Sequence, residues 1–135
     1  MSPLGLGKIA AIERSIARAR EEFAAAGTDF VRDLTRQDAA ILNILRACEL
    51  AIDLANILIR ERSLGVPQSS RDSFKLLADA ALIPTELSER LQRMIGFRNI
   101  AVHQYQTLEL AIVEAILRRD LDDLLGFCRT LATLG

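Results

Sequence analysis

The chain has no tryptophan, one tyrosine, one histidine, three prolines and two cysteines in 135 residues. Each scarcity removes a class of protein. A single histidine, His103, excludes any multi-histidine metal site, so a catalytic metal would have to rest on carboxylates alone. Cys48 and Cys128 lie in apolar stretches without paired spacing, which reads them as small buried hydrophobes rather than a disulfide or redox pair. Aromatics make up 4% of the chain, too few for a base-stacking platform, and with Pro and Gly sparse an all-β sandwich is excluded. No apolar run approaches about 18 residues, and the opening MSPLGLGK lacks the charged segment and apolar core of an export signal. The expectation is a soluble, cytoplasmic protein with no membrane partner.

Charge of one sign is also missing. Seventeen Lys and Arg against eighteen Asp and Glu leave a net charge of −1, so no protein-wide positive field draws in nucleic acid. DNA is not expected as a partner, and any RNA contact must come from a local patch. What is abundant is Leu, Ala and Ile: half the residues are apolar. At this length one domain, residues 1–135, is expected, burying roughly two-thirds of the extended chain's surface.

Helical periodicity runs through the sequence. Ile9, Ile12, Ile16, Ala19 and Phe23 predict a first helix near 8–26, ending before Gly27. Thr35 with Asp38 is a capping-box variant opening a second helix, whose series Ile41, Leu45, Cys48, Ile52, Ala55 and Ile59 runs to Arg62. Leu42, Leu50, Leu54 and Leu58 widen its apolar surface, so it is either central or has a face left for another chain. Ser69 with Asp72 opens a third helix to about Ala81, a fourth begins near Thr85, and a fifth is expected from about Leu108 to Leu131. Short connectors make this an all-α, antiparallel up-and-down bundle of about five helices.

Chemistry concentrates in FRNIAVHQY, between the fourth and fifth helices. Histidine exchanges a proton near neutral pH, arginine neutralises a phosphate, and together they suit attack of a ribose 2′-OH on its own phosphodiester without metal or cofactor. At 100° per residue, Arg98 and Tyr105 fall within about 20° of each other while His103 is about 140° from Arg98. Either the fourth helix ends between them and turns His103 back, or the groups are gathered across a two-fold axis from two chains. Arg46, Glu49, Asp53, Asn56 and Arg60 form one polar stripe on the second helix. Arg93 is an auxiliary phosphate-contact candidate, and Arg118, Arg119, Asp120, Asp122 and Asp123 read as a solvated face.

Arg98, four residues, His103, one residue, Tyr105 resembles the R-x-x-x-x-H-x-Y motif of HepT-type HEPN ribonuclease toxins. The likeness extends through IDLANILI, VPQSSRDSFKLLADAALI and LQRMIGFRNIAVHQY, and so covers nearly the whole chain. It implies a HEPN-like homodimer, a metal-independent endoribonuclease acting on cellular RNA such as tRNA or mRNA, with two motifs lining one cleft. It also implies roles: His103 as general acid/base, Arg98 on the scissile phosphate, Asn99 orienting the pair, and, where the polar stripe faces the cleft and not solvent, Asp53, which matches an acidic residue of the family's second helix, orienting Arg98 or His103 by a charged hydrogen bond. Tyr105 would be the hydroxyl to which an MntA-type nucleotidyltransferase antitoxin transfers AMP. Two other functions stay open, a non-catalytic substrate-binding subunit of such a nucleotidyltransferase and an inert assembly module.

Overall fold

The computed structural model describes residues 1–134, and within them every regular element is helical. Helix α1 (Pro3–Ala26) starts earlier than its apolar series, because Ser2 caps it by accepting from the Gly5 N–H at 3.2 Å and Pro3 sits in the first turn. Gly27, at φ 57°, ends it in a conformation that costs a side chain dearly. A 3₁₀ turn (Gly27–Asp29) leads to α2 (Leu34–Glu61). The cap of α2 is Asp33, which accepts the Arg36 N–H at 3.0 Å, and not the expected Thr35–Asp38 box. Asp38 therefore lies inside the helix, with its carboxylate unneeded by the backbone.

Helix α3 (Ser70–Asp79) opens as its sequence predicts, Ser69 accepting from the Asp72 N–H at 3.1 Å. Helix α4 (Thr85–His103) follows, then a 3₁₀ turn (Tyr105–Thr107) and a last rod. That rod differs from the expected single helix: α5 (Leu110–Ala115) passes through a π-helical turn (Ile116–Asp120) into α6 (Leu121–Ala132). The wider turn buries Ile116 and Leu117, and the Leu117 carbonyl accepts from Arg20 Nε at 2.9 Å, tying the rod to α1.

One continuous core links the elements. Helices α1 and α2 form the most extensive pair, α3 and α4 a second hairpin, and α6 closes against α1, α2 and α4. Helix α2 is central: Ile44, Leu54, Leu58 and Ile59 are fully covered, whereas Leu42 stays 48% exposed. The widened apolar surface is thus that of a central helix, with Leu42 left open to solvent. Buried polar groups are satisfied locally, Ser88 donating to the Phe74 carbonyl at 2.9 Å and Ser73 to Asn56 at 2.7 Å, which brace α3 against α4 and α2. Both cysteines are free and buried, and burial pushes their thiols up to about 12, which closes thiolate chemistry at neutral pH. Phe74 and Phe127 meet edge to face at 5.4 Å in the centre. Phe127→Ala is expected to cost about 3–5 kcal/mol, read from urea unfolding of the purified protein.

Candidate active site

Helix α4 runs unbroken through Arg98 and Asn99 to His103, its last residue, and Gln104 caps it with an N–H to the Ile100 carbonyl at 2.7 Å. The hydrogen-bond ladder carries the helix past the motif because no glycine or proline lies between Phe97 and Tyr105. Of the two geometries that could bring Arg98 and His103 together, a helix ending between them is therefore not the one adopted. Within one chain they leave α4 about 140° apart, and among the described residues no hydrogen bond joins them.

Arg98 is tightly positioned. Its Nε and one terminal nitrogen engage the Glu49 carboxylate of α2, and its other terminal nitrogen donates to Asn99 Oδ1 at 2.6 Å. Two edges of the guanidinium are thus fixed by an acid from α2 and an amide from α4. Asn99 thus contacts Arg98 and, among the described residues, has no hydrogen bond to His103. Asp53 does not hold Arg98: it pairs with Lys8 of α1 at 3.4 Å, and Glu49, one turn earlier on the same stripe, takes the place foreseen for it. The reason is where α4 meets α2, at the level of Glu49, while the start of α1 lies against Asp53. Sequence reading missed Glu49 because both acids occupy one helix face and spacing cannot rank them.

His103 is exposed and lines an open depression of ≈ 590 Å³ with Val102, Gln104, Tyr105 and Thr107. Tyr105 is 39% exposed, and its hydroxyl donates to Asp38 Oδ1. Burial first, and then the bond and charge of Asp38, push the phenol up to about 12, so it stays protonated. Asp38 is the second residue that motif spacing did not reveal, since it lies 67 positions away in sequence. Arg93 points elsewhere. It lines a groove of ≈ 200 Å³ between α4 and the last rod, with Met94, Phe97, Ile112 and Ile116, where Arg90 pairs with Asp123 at 2.9 Å. The structure does not bring Arg93 to Arg98 or His103.

Beside the Glu49–Arg98 pair, Leu42, Leu45 and Leu50 of α2 form a shallow apolar hollow of ≈ 480 Å³ with Arg46 and Glu49. On α4, Ile100 and Val102 are 54% and 57% exposed. The basic cluster of the last rod is only partly a solvated face, because Arg118 stacks on the Phe23 ring at 4.8 Å. Among the described residues no group of three or more His, Cys, Asp or Glu converges to hold a metal, and no helix is long and apolar enough to cross a membrane.

Comparison with known proteins identifies the family. The family model described as Ribonuclease HepT-like matches residues 12–131. An mRNA nuclease HepT of Shewanella oneidensis is 48% identical over 123 residues, which covers 91% of this chain and 92% of the relative. A tri-AMPylated Shewanella oneidensis HEPN toxin, solved in complex with MNT antitoxin, superposes with a TM-score of 0.94 at 44% identity, covering 99% of this chain and 100% of that one. A toxin–antitoxin crystal structure with AMP-PNP gives a TM-score of 0.93 at 44% identity over 98% of this chain and 100% of that one. A family match over this span, joined to relatives of such identity along nearly their full lengths, means that the chain belongs to the HepT-like ribonuclease family.

Proposed function

We propose that this protein is a metal-independent endoribonuclease toxin, active as a homodimer in the cytoplasm, that cuts cellular RNA and is neutralised when a nucleotidyltransferase antitoxin transfers AMP to Tyr105. The observation that carries the reading is the clamped Arg98 on the same unbroken helix as an exposed His103. Cleavage by a 2′-OH needs one group to take the hydroxyl proton, another to protonate the departing 5′ oxygen, and a cation on the phosphate. The 2′ oxygen bonds to phosphorus, the phosphorus–O5′ bond breaks, and a 2′,3′-cyclic phosphate remains. Arg98, held by Glu49 and Asn99, is the cation.

One imidazole per chain supplies only one of the two proton-transfer groups, and α4 aims it away from the Arg98 of its own chain. A two-fold pairing that brings the partner's His103 beside Arg98, and the reverse, provides both groups over one phosphate. The apolar hollow of Leu42, Leu45 and Leu50 next to Glu49 supports that pairing, since a second copy would cover it. Partnership with an MntA-type antitoxin follows the solved toxin–antitoxin complexes of the relatives.

The test is cleavage of total tRNA and a model mRNA in EDTA by protein that mass spectrometry shows to be unmodified. Cyclic-phosphate ends are the expected product. Tyr105→Phe is expected to cleave like the wild type, because its hydroxyl does not enter the reaction, but to resist neutralisation by nucleotidyltransferase and ATP. Intact RNA from bare, folded wild type would instead identify a non-catalytic subunit that presents substrate to the nucleotidyltransferase.

A further inference from the structure

Asp38 has no task in the reaction above and none in capping its helix. Asp33 caps α2 in its stead, and among the described residues Asp38 forms no ion pair. Yet this exposed carboxylate, on the first turns of α2, accepts the hydroxyl proton of the one tyrosine in the chain, across 67 residues of sequence. We propose that Asp38 is the proton acceptor for nucleotidyl transfer to Tyr105, holding the phenol and taking its proton as the oxygen attacks. The proposal rests on the reading of Tyr105 as the modified residue.

The step balances with a nucleoside triphosphate and divalent cation supplied by the nucleotidyltransferase. The Tyr105 oxygen bonds to the α-phosphorus, the bond from that phosphorus to the bridging oxygen of pyrophosphate breaks, and the phenolic proton passes to the Asp38 carboxylate. A phenol is a poor nucleophile while it keeps its proton, and a carboxylate already at its hydrogen can receive that proton when the new bond lowers the oxygen's basicity. The setting admits a nucleotide. Tyr105 lines an open depression of ≈ 590 Å³ with His103 and Thr107, within the roughly 300–1,000 Å³ range of small-molecule sites. Once esterified, the oxygen has no hydrogen to donate, and the new phosphate brings a second negative charge to Asp38. The transfer therefore also removes the bond that ties the Tyr105–Thr107 turn to α2.

The experiment follows AMP on Tyr105 by intact mass and peptide mapping, using the full chain, an MNT-type nucleotidyltransferase, ATP and Mg²⁺. Asp38→Asn keeps an oxygen acceptor but cannot take a proton, and is expected to slow transfer at least about tenfold without changing the KM for ATP. Asp38→Glu is expected to restore part of the rate. Added formate should accelerate Asp38→Ala and not the wild type, a response that a purely structural carboxylate would not give. Melting temperature and complex formation check that the variants are intact. Wild-type rates in Asp38→Asn and Asp38→Ala, or a slow Asp38→Ala that formate leaves slow while Asp38→Asn is normal, overturn the proposal alone. Absence of AMP on Tyr105 in the wild type overturns the reading of that tyrosine, and this proposal with it.

Discussion

Replacement of His103 with alanine is expected to lower RNA cleavage by about 10²–10⁴-fold, the range for loss of a positioned proton-transfer group. The loss should be at the upper end, because in a two-fold site the change removes base and acid together. Stability should be unaffected, since His103 is exposed at the last position of α4. A mixed dimer sharpens the expectation. Wild-type chains combined with the double variant Arg98→Ala, His103→Ala retain one Arg98 and one His103, so a cleft that needs both imidazoles over one phosphate has lost one of its two proton-transfer groups. If the active site is shared across the axis, such heterodimers are inactive. Heterodimers with half the wild-type rate would show that each protomer works alone and would remove the argument for a shared cleft. Cleavage rate, cyclic-phosphate ends and melting temperature on one set of samples decide the matter.

Arg98→Ala is expected to reduce cleavage by about 10²–10³-fold through loss of the cation that meets the developing phosphorane charge. Lysine should not rescue it. Glu49 and Asn99 grip a planar fork from two sides, and an ammonium cannot fill both contacts and still face a phosphate. The Glu49 contact makes a separate and less obvious expectation. Glu49→Ala removes an anion that competes with phosphate and also loosens the guanidinium, so KM for RNA should fall while kcat falls by less than about 10²-fold. Steady-state kinetics on a short RNA separates the two effects. A rise in kcat would mean that Glu49 only neutralises Arg98 and does not position it.

The bundle was legible because it rests on short-range regularities. Apolar residues at three- and four-residue spacing marked each helix, and Gly27 and Ser69 acted locally, so the cap of α3 stood where the spacing put it. The motif was legible for the same reason: Arg98, Asn99, His103 and Tyr105 are near neighbours whose side-chain chemistry is apparent before folding. At the start of α2, spacing failed. Thr35–Asp38 fits a capping box, yet the chain caps α2 two residues earlier, with Asp33 accepting the Arg36 N–H. The π-helical turn at Ile116–Asp120 leaves no mark in apolar periodicity, because its widening is matched to Arg20 on a distant helix.

The amino-acid sequence by itself determined the helices, their order and the one segment where an arginine, a histidine and a tyrosine gather, since all of these follow from side-chain type and local spacing. Only the tertiary structure decided which acid meets Arg98, that Asp38 takes the Tyr105 hydroxyl, that Leu42 stays open while Leu54 is covered, and that Arg93 faces another groove. Those outcomes depend on how far α4 slides and turns against α2. Glu49 and Asp53 are one helical turn apart, so a shift of about 5–6 Å would exchange their roles without altering a single local preference.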